Sequence, residues 1–286
     1  MKKTFLSITL ILISILSLQA QKLENALLWE ISGNGLEQSS YLYGTIHMTC
    51  DATLDTKIKT ALDNTSLLVL ELDMDDPNMQ GNMMKGIAMK NGKNIKDFTT
   101  NEEYKTLDTF MQTEMGAPLS TFATFKPFFL SSMLYTKLLD CPIQSFEGEL
   151  MKVAQEQNEE VLGLETVAEQ LKVFDDIPYK DQVTDLLKAV KGNLKDEKIE
   201  FQKMLALHHN NNLVEIEKMI DNDDSLTMTA HKDLMLTNRN KNWIPKIEMH
   251  SKKQATFYGV GAAHLIGEAG VINLLRKKGY IVTAVK

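Results

Sequence analysis

Two short units near opposite ends of this 286-residue chain constrain its fold more than any other feature. Ser40-Tyr41-Leu42-Tyr43 leads into Gly44-Thr45-Ile46-His47, and Ala255-Thr256-Phe257-Tyr258 leads through Gly259-Val260 into Gly261-Ala262-Ala263-His264. Strand-forming side chains dominate both runs, and a glycine permits a tight turn or a close backbone approach. Each histidine is thereby predicted at the tip of a buried strand. Imidazoles bind metals and move protons near neutral pH, so two such tips brought together would make a reactive centre. The chain must then fold back on itself, and a single domain over 21–286 is expected rather than two independent ones.

Between these units the pattern alternates strands and helices. Residues 27–31 read as a first strand, joined by the polar, glycine-containing stretch 32–38 to an antiparallel partner ending at Gly44. Residues 54–62 have helical spacing, and the aliphatic run 66–73 reads as a central strand covered on both faces. A strand-helix-strand crossover of that length places the C-terminal ends of its strands on one sheet edge. The segment 75–139 is mostly helical, and Met79, Met83, Met84 and Met89 in it read as adaptable packing rather than soft-metal ligands. A helix over 149–157, a short strand over 160–165 and helices over 166–174 and about 182–236 follow. The C-terminus repeats the opening grammar, with a strand at 255–260, the second motif, a helix at 267–278 and a strand at 280–285. The expected class is α/β, a central mixed sheet flanked by helices, with a largely helical middle and two pseudo-symmetric strand-G-x-x-H-helix-strand ends.

The N-terminus carries a different signal. Met1-Lys2-Lys3, an apolar run over 5–18 and Gln19-Ala20-Gln21 have the three parts of a secretory signal peptide, with cleavage after Ala20. The run is short for a membrane span, and no other long apolar segment follows, so no span is expected after cleavage. An exported chain, periplasmic or secreted, is the expectation, with an uncleaved anchor as its rival. The formal charge of −7 and the lack of a basic stripe exclude a nucleic-acid binder. Cys50 and Cys141 are the only cysteines, and an isolated pair in an exported chain is expected to be bridged. A thiolate three residues after His47 is the alternative.

Four strand candidates end in groups able to hold a cation or move a proton: His47, Glu71, Glu165 and His264. Ligands in open α/β sheets collect at such strand ends. Two imidazoles and a carboxylate leave room for water and suit zinc, manganese or cobalt alike. Glu71 also reads as a strand meeting solvent, and Glu165 as a residue favoured by the dipole of the following helix. His208, His209, His231 and His250 read as structural or solvated, and Arg239 alone as a surface charge.

Taken together, Leu28-Trp29-Glu30-Ile31, Tyr41-Leu42-Tyr43-Gly44-Thr45-Ile46-His47, Leu70-Glu71-Leu72-Asp73, Gly163-Leu164-Glu165-Thr166, Arg239-Asn240 and Gly259-Val260-Gly261-Ala262-Ala263-His264-Leu265 resemble the TraB/GumN family, which includes the Tiki proteases. The resemblance runs along nearly the whole mature chain, and Gly267 and Gly270 also fit it. It implies an α/β core shared with erythromycin esterase-like and haem-binding iron-uptake proteins. It also implies a divalent-metal hydrolase site, with His47, Glu71 and His264 as ligands and Glu165 and Arg239 as catalytic groups. The chain departs from the pattern at Ser145-Phe146-Glu147-Gly148-Glu149, where relatives carry an aspartate-containing turn, so no role is assigned to Glu147. The membrane-anchoring segments of the Tiki proteins have no counterpart in this reading. The expected activity is metal-assisted hydrolysis of a peptide or related acyl bond. Glu165, or Glu71 if it is not a ligand, would take the proton, and Arg239 would stabilise the oxyanion. A metal-free site with one histidine as base, and a non-catalytic haem-, metal- or peptide-binding protein, are the alternatives.

Overall fold

A computed structural model describes residues 23–286, so the expected signal peptide lies outside the described residues. The strands are β1 (Leu28–Ser32), β2 (Ser40–Thr45), β3 (Leu67–Leu70), β4 (Glu160–Gly163), β5 (Phe257–Gly261) and β6 (Ile281–Ala284). They form one mixed sheet in the order β4-β3-β5-β2-β1-β6. The neighbours β4-β3, β3-β5 and β5-β2 pair in parallel, whereas β1 is antiparallel to both β2 and β6. The class is therefore α/β, as the alternation of patterns predicts. β3 is buried along its whole Leu-Leu-Val-Leu run, as befits a strand covered by helices on both faces.

The helices are α1 (Thr56–Asp63), α2 (Met79–Gly86), α3 (Asn101–Met115), α4 (Pro127–Tyr135), α5 (Phe146–Gln157), α6 (Val167–Asp176), α7 (Tyr179–Lys191), α8 (Lys195–His209), α9 (Leu213–Asp221), α10 (Leu226–Lys232), α11 (Asn238–Lys253) and α12 (Val271–Lys277). Helices α5, α11 and α12 pack on the sheet core, which contains Trp29, Leu68, Leu150, Trp243, Phe257 and Ile272. A second apolar cluster, including Ile95, Leu107, Leu130, Val183 and Leu187, holds α3, α4 and α7 together away from the sheet. Met89 contributes to that cluster, whereas Met84 is exposed. Lys126 at the start of α4 is fully buried and pairs with Asp175 of α6 at 3.2 Å, tying the helical region to the segment that follows β4.

The two motif strands lie side by side. β2 and β5 run parallel in register, with Gly44 opposite Val260 and Thr45 opposite Gly261. A Cβ on Gly44 would lie 2.7 Å from Leu265 Cδ1 and 3.2 Å from Ala262 Cα, so the first motif has a glycine where the second motif's backbone presses against it. The resemblance between the ends stops there. β3, which follows the first motif, sits beyond β5, whereas β6, which follows the second, crosses to the far edge and pairs with β1.

Cys50 and Cys141 form a disulfide with 5.7 Å between Cα atoms. Beside it, Thr49 and Gln144 exchange backbone hydrogen bonds of 3.0 and 2.9 Å. Together these links fasten the loop carrying His47 to the chain entering α5. The bridge closes a loop of sequence separation 91. Replacing both cysteines with serine should therefore lower unfolding free energy by about 2–4 kcal/mol, read from urea denaturation at neutral pH.

Candidate functional site

The parallel strands β4, β3, β5 and β2 deliver Glu165, Glu71, His264 and His47 to one sheet edge, the arrangement expected where chain ends of parallel strands meet loops and helix starts. Gly261 lies at their centre. A Cβ there would sit 3.3 Å from Glu71 Oε1 and 3.7 Å from both His264 Cδ2 and His47 Nε2, so the glycine keeps open the space into which these three side chains point. Its backbone N–H donates to Glu71 Oε1 at 2.8 Å.

Arg239, in the first turn of α11, occupies the remaining side. It follows a widened π-turn over Asp233–Thr237, whose Met235 carbonyl accepts from Arg239 Nη1 at 3.1 Å. Nη2 donates to Glu71 Oε2 at 2.6 Å and to Glu165 Oε1 at 2.5 Å, Nε reaches both Glu165 oxygens at 3.1 Å, and Nη1 reaches His264 Nε2 at 3.0 Å. All five N–H groups of the guanidinium are thus engaged. Gln170 of α6 donates to Glu165 Oε1 at 3.1 Å, and the Trp243 indole N–H to Glu165 Oε2 at 3.3 Å. Trp243 lies one helical turn after Arg239, and its ring packs under both the guanidinium and the His264 imidazole. Glu165 is buried and saturated with donors, so it anchors Arg239 and is poorly placed to take a proton from water.

The ring orientations of both histidines follow from their neighbours. Asn240 donates through Nδ2 to the carbonyls of His264 and Ala269, at 3.2 and 2.9 Å, which leaves its Oδ1 as an acceptor. His264 Nδ1–H donates to that oxygen at 2.6 Å, so the Nε2 lone pair faces Arg239 Nη1. On the other motif, His47 Nδ1–H donates to Glu147 Oε1 at 2.8 Å, and the Thr45 hydroxyl donates to the same oxygen at 2.6 Å. Behind β2, buried His208 of α8 donates through Nε2 to the Gly44 carbonyl at 2.9 Å and is structural. His231 pairs with Asp181 away from this edge.

Burial and the nearby Arg239 and His47 charges, against an opposing pull from Glu71, hold His264 down at about 3, so it is neutral at physiological pH. Burial opposes a charge on His47 as well, but the Glu147 hydrogen bond and the Glu71 and Glu147 carboxylates overcome it and raise His47 to about 9. Protein crowds that ring on several sides, yet its side chain is 66 % exposed and lines the open mouth of the site, where water moderates the shift. Burial would push Glu71 up, but His264, Arg239 and His47 together with the Gly261 N–H hold it at about 2. Because His264 is uncharged at neutral pH, Arg239, protonated His47 and the amide carry that effect there.

The site therefore gathers His47, Glu71, Glu165, Arg239 and His264. Among the described residues, no three His, Cys, Asp or Glu side chains already stand as a metal-holding group. The donor chemistry nevertheless suits a cation. Both imidazoles give Nδ1–H to an outer acceptor and turn Nε2 inward, the usual pattern for metal-binding histidines. His264 Nε2 and Glu71 Oε1 are 3.7 Å apart, near the ~3.4 Å spanned by two donors on one tetrahedral ion. Entry of a cation requires Arg239 to come off His264. The sequence pattern assigns no site role to Glu147, Asn240, Gln170 or Trp243, which the fold brings to this edge. Ser145 was the signal for Glu147. It accepts from the Gly148 N–H as an N-cap, starting α5 at Phe146 rather than at the expected 149 and setting Glu147 on the first turn.

Two outcomes follow. Arg239→Met leaves Glu71 and Glu165 buried without their cation and should cost about 3–5 kcal/mol in urea denaturation. His47 has a folded value above its ordinary one, so its bound proton favours the fold; that stabilisation is complete below about pH 6.5 and is lost as pH rises through about 9. Wild type should exceed His47→Gln in urea midpoint near pH 6, and the gap should narrow toward about pH 10.

The TraB/PrgY/gumN family model matches residues 27–284, from the start of the first strand to the end of the last. Searches of curated proteins and of solved structures give no match. No helix among the described residues is long and apolar enough to cross a membrane. With a family model covering nearly its whole length, the chain belongs to the TraB/PrgY/gumN family.

Proposed function

We propose that this protein is an exported hydrolase that cleaves a peptide or related acyl bond at the His47–Glu71–His264 edge. The observation that carries this reading is the pair of imidazoles around Gly261, each with Nδ1 fixed by a buried acceptor, with His47 Nε2 and the His264 Cδ2 edge both 3.7 Å from where a Gly261 Cβ would sit. Environments that push two titrating groups in opposite directions mark acid and base partners. Export is supported by the signal-like N-terminus and by the disulfide.

His47 Nε2, Glu71 Oε1 and His264 Nε2 would hold a divalent ion, zinc, manganese or cobalt, once Arg239 Nη1 leaves His264. Such an ion supplies polarisation of the substrate carbonyl and makes water more acidic. The chain's own groups do the rest. His47 would give up its Nε2 proton to solvent to become a ligand, while Glu147 and Asn240 keep the two rings in place. Released from His264, Arg239 Nη1 is the donor free for the oxyanion that develops on the substrate, and Glu165 and Glu71 hold the guanidinium in place. A second reading needs no metal. Once Arg239 Nη1 leaves its Nε2, neutral His264 would take the proton of an attacking water, and protonated His47 would give one to the leaving group; the opposite protonation states of the two rings favour it.

Purified mature chain, stripped with chelator and resupplied with each ion, should turn over members of a peptide and acyl-ester panel only when metal is present. His47→Ala and His264→Ala, checked for folding by circular dichroism, should each reduce kcat/KM by about 100-fold or more. Turnover that survives chelation but not His264→Ala would select the metal-free reading. Equal turnover in wild type and both variants would overturn hydrolysis at this edge.

A further inference from the structure

A cleft of about 870 Å³ opens between α4, α7, α8 and α9, lined by none of the site residues above. Its floor is apolar, with Leu134, Leu186, Met204 and Ile220. Two large apolar side chains at its walls stay in water, Ile199 at 61 % exposure and Tyr135 at 40 %. Single exposed apolar residues are ordinary, but a pair flanking an apolar cleft of ligand-binding size is not.

The rim is acidic. Seven carboxylates and three lysines line the cleft. Each lysine faces a carboxylate of the rim: Lys188 with Asp224 at 2.6 Å, Lys218 with Glu215 at 2.5 Å and Lys203 with Glu200 at 3.8 Å. Asp185 receives the Leu226 and Thr227 N–H groups at the start of α10, and Asp223 receives Ser225. Glu197 is different, because its Oε2 is buried and has no hydrogen-bond partner among the described residues. A buried carboxylate oxygen without a donor is costly, and turning the Glu197 side chain into the cleft toward a docked cation relieves that cost. Although part of its ring stays in water, protein packed around the Tyr135 phenol, with the charges of Asp223, Glu197 and Asp185 added, raises it above its ordinary value, so negative potential converges on that ring. An aromatic face in such a field is a further attraction for an ammonium or guanidinium.

The geometry points to a docking site for a basic, apolar peptide segment, with a lysine or arginine reaching Glu197 beside Tyr135 and flanking apolar side chains on the floor formed by Leu134, Leu186, Met204 and Ile220. Charge complementarity between this rim and a cationic segment selects the occupant over an acidic one, and the inference stands independently of any hydrolysis at the sheet edge.

The test is fluorescence anisotropy of a labelled, acetylated peptide of leucine, phenylalanine and lysine, titrated with the purified mature chain, beside the same peptide with glutamate for lysine. Saturable binding of the lysine peptide is expected, weakening as salt rises, with the glutamate peptide unbound. Glu197→Gln and Ile199→Lys should each weaken it by about tenfold, with unchanged circular dichroism. His47→Ala should bind as wild type. Equal binding of both peptides, or unchanged binding in Glu197→Gln and Ile199→Lys, would overturn the assignment, as would loss of binding in His47→Ala. Concentration-dependent dimerisation in sedimentation that Ile199→Lys abolishes would assign the face to a second copy instead and likewise overturn it.

Discussion

The buried Arg239 guanidinium is the interaction on which the site depends. It joins the ends of β3 and β4, through Glu71 and Glu165, to the histidine that follows β5. Two carboxylates this deeply buried and this close repel each other unless a cation lies between them, and removing one member of such a group costs more than its attraction contributes. The π-turn before α11, the Trp243 ring and the Gln170 amide all serve to seat that cation. Because Arg239 uses every N–H it has, any chemistry at this edge begins with the exchange of one of those bonds. Among its side-chain contacts, the one to neutral His264 is given up most cheaply, since it alone joins the guanidinium to an uncharged group, while the carboxylate contacts pair opposite charges.

The second constraint is the parallel pairing of β2 with β5, which brings residues more than 200 positions apart into register. It makes a single site out of the two ends of the chain. The disulfide and the Thr49–Gln144 bridge then attach the first motif to α5, where Glu147 takes hold of His47. The two rings end in opposite protonation states for a simple reason. His264 is buried beside a permanent cation and an amide, whereas His47 faces two carboxylates and open water.

Much of this was legible in the sequence because it is local or periodic. The apolar runs of β2, β3, β4 and β5 announce strands, and the carboxylate or histidine closing each run marks the sheet edge. The Cys50–Cys141 bridge followed from an isolated pair in a chain with an export-like start. Strand order was not legible: the insertion of β5 between β2 and β3, and the antiparallel landing of β6 on β1, are decided by long-range packing that no local pattern records. Glu147 escaped for another reason. Its role depends on where α5 begins, which is set by the Ser145 cap rather than by the apolar spacing from which the helix was read. Arg239 looked like surface charge taken alone, and only its company with Asn240 and the two motifs placed it in the site. Its saturation by donors and acceptors, and that of Glu165, are properties of the assembled edge and have no signature in one dimension.

The central claim is that both histidines hold fixed rings whose Nε2 atoms share one space. Nitrogen-15 NMR of the imidazoles in the purified protein, with and without stoichiometric manganese, tests it most directly. At neutral pH, His264 should show the neutral form protonated on Nδ1 and His47 the doubly protonated cation, and manganese should broaden the Nε2 signals of both together. A His264 ring titrating near its ordinary value of about 6.5, or broadening confined to one of the two rings, would contradict the account.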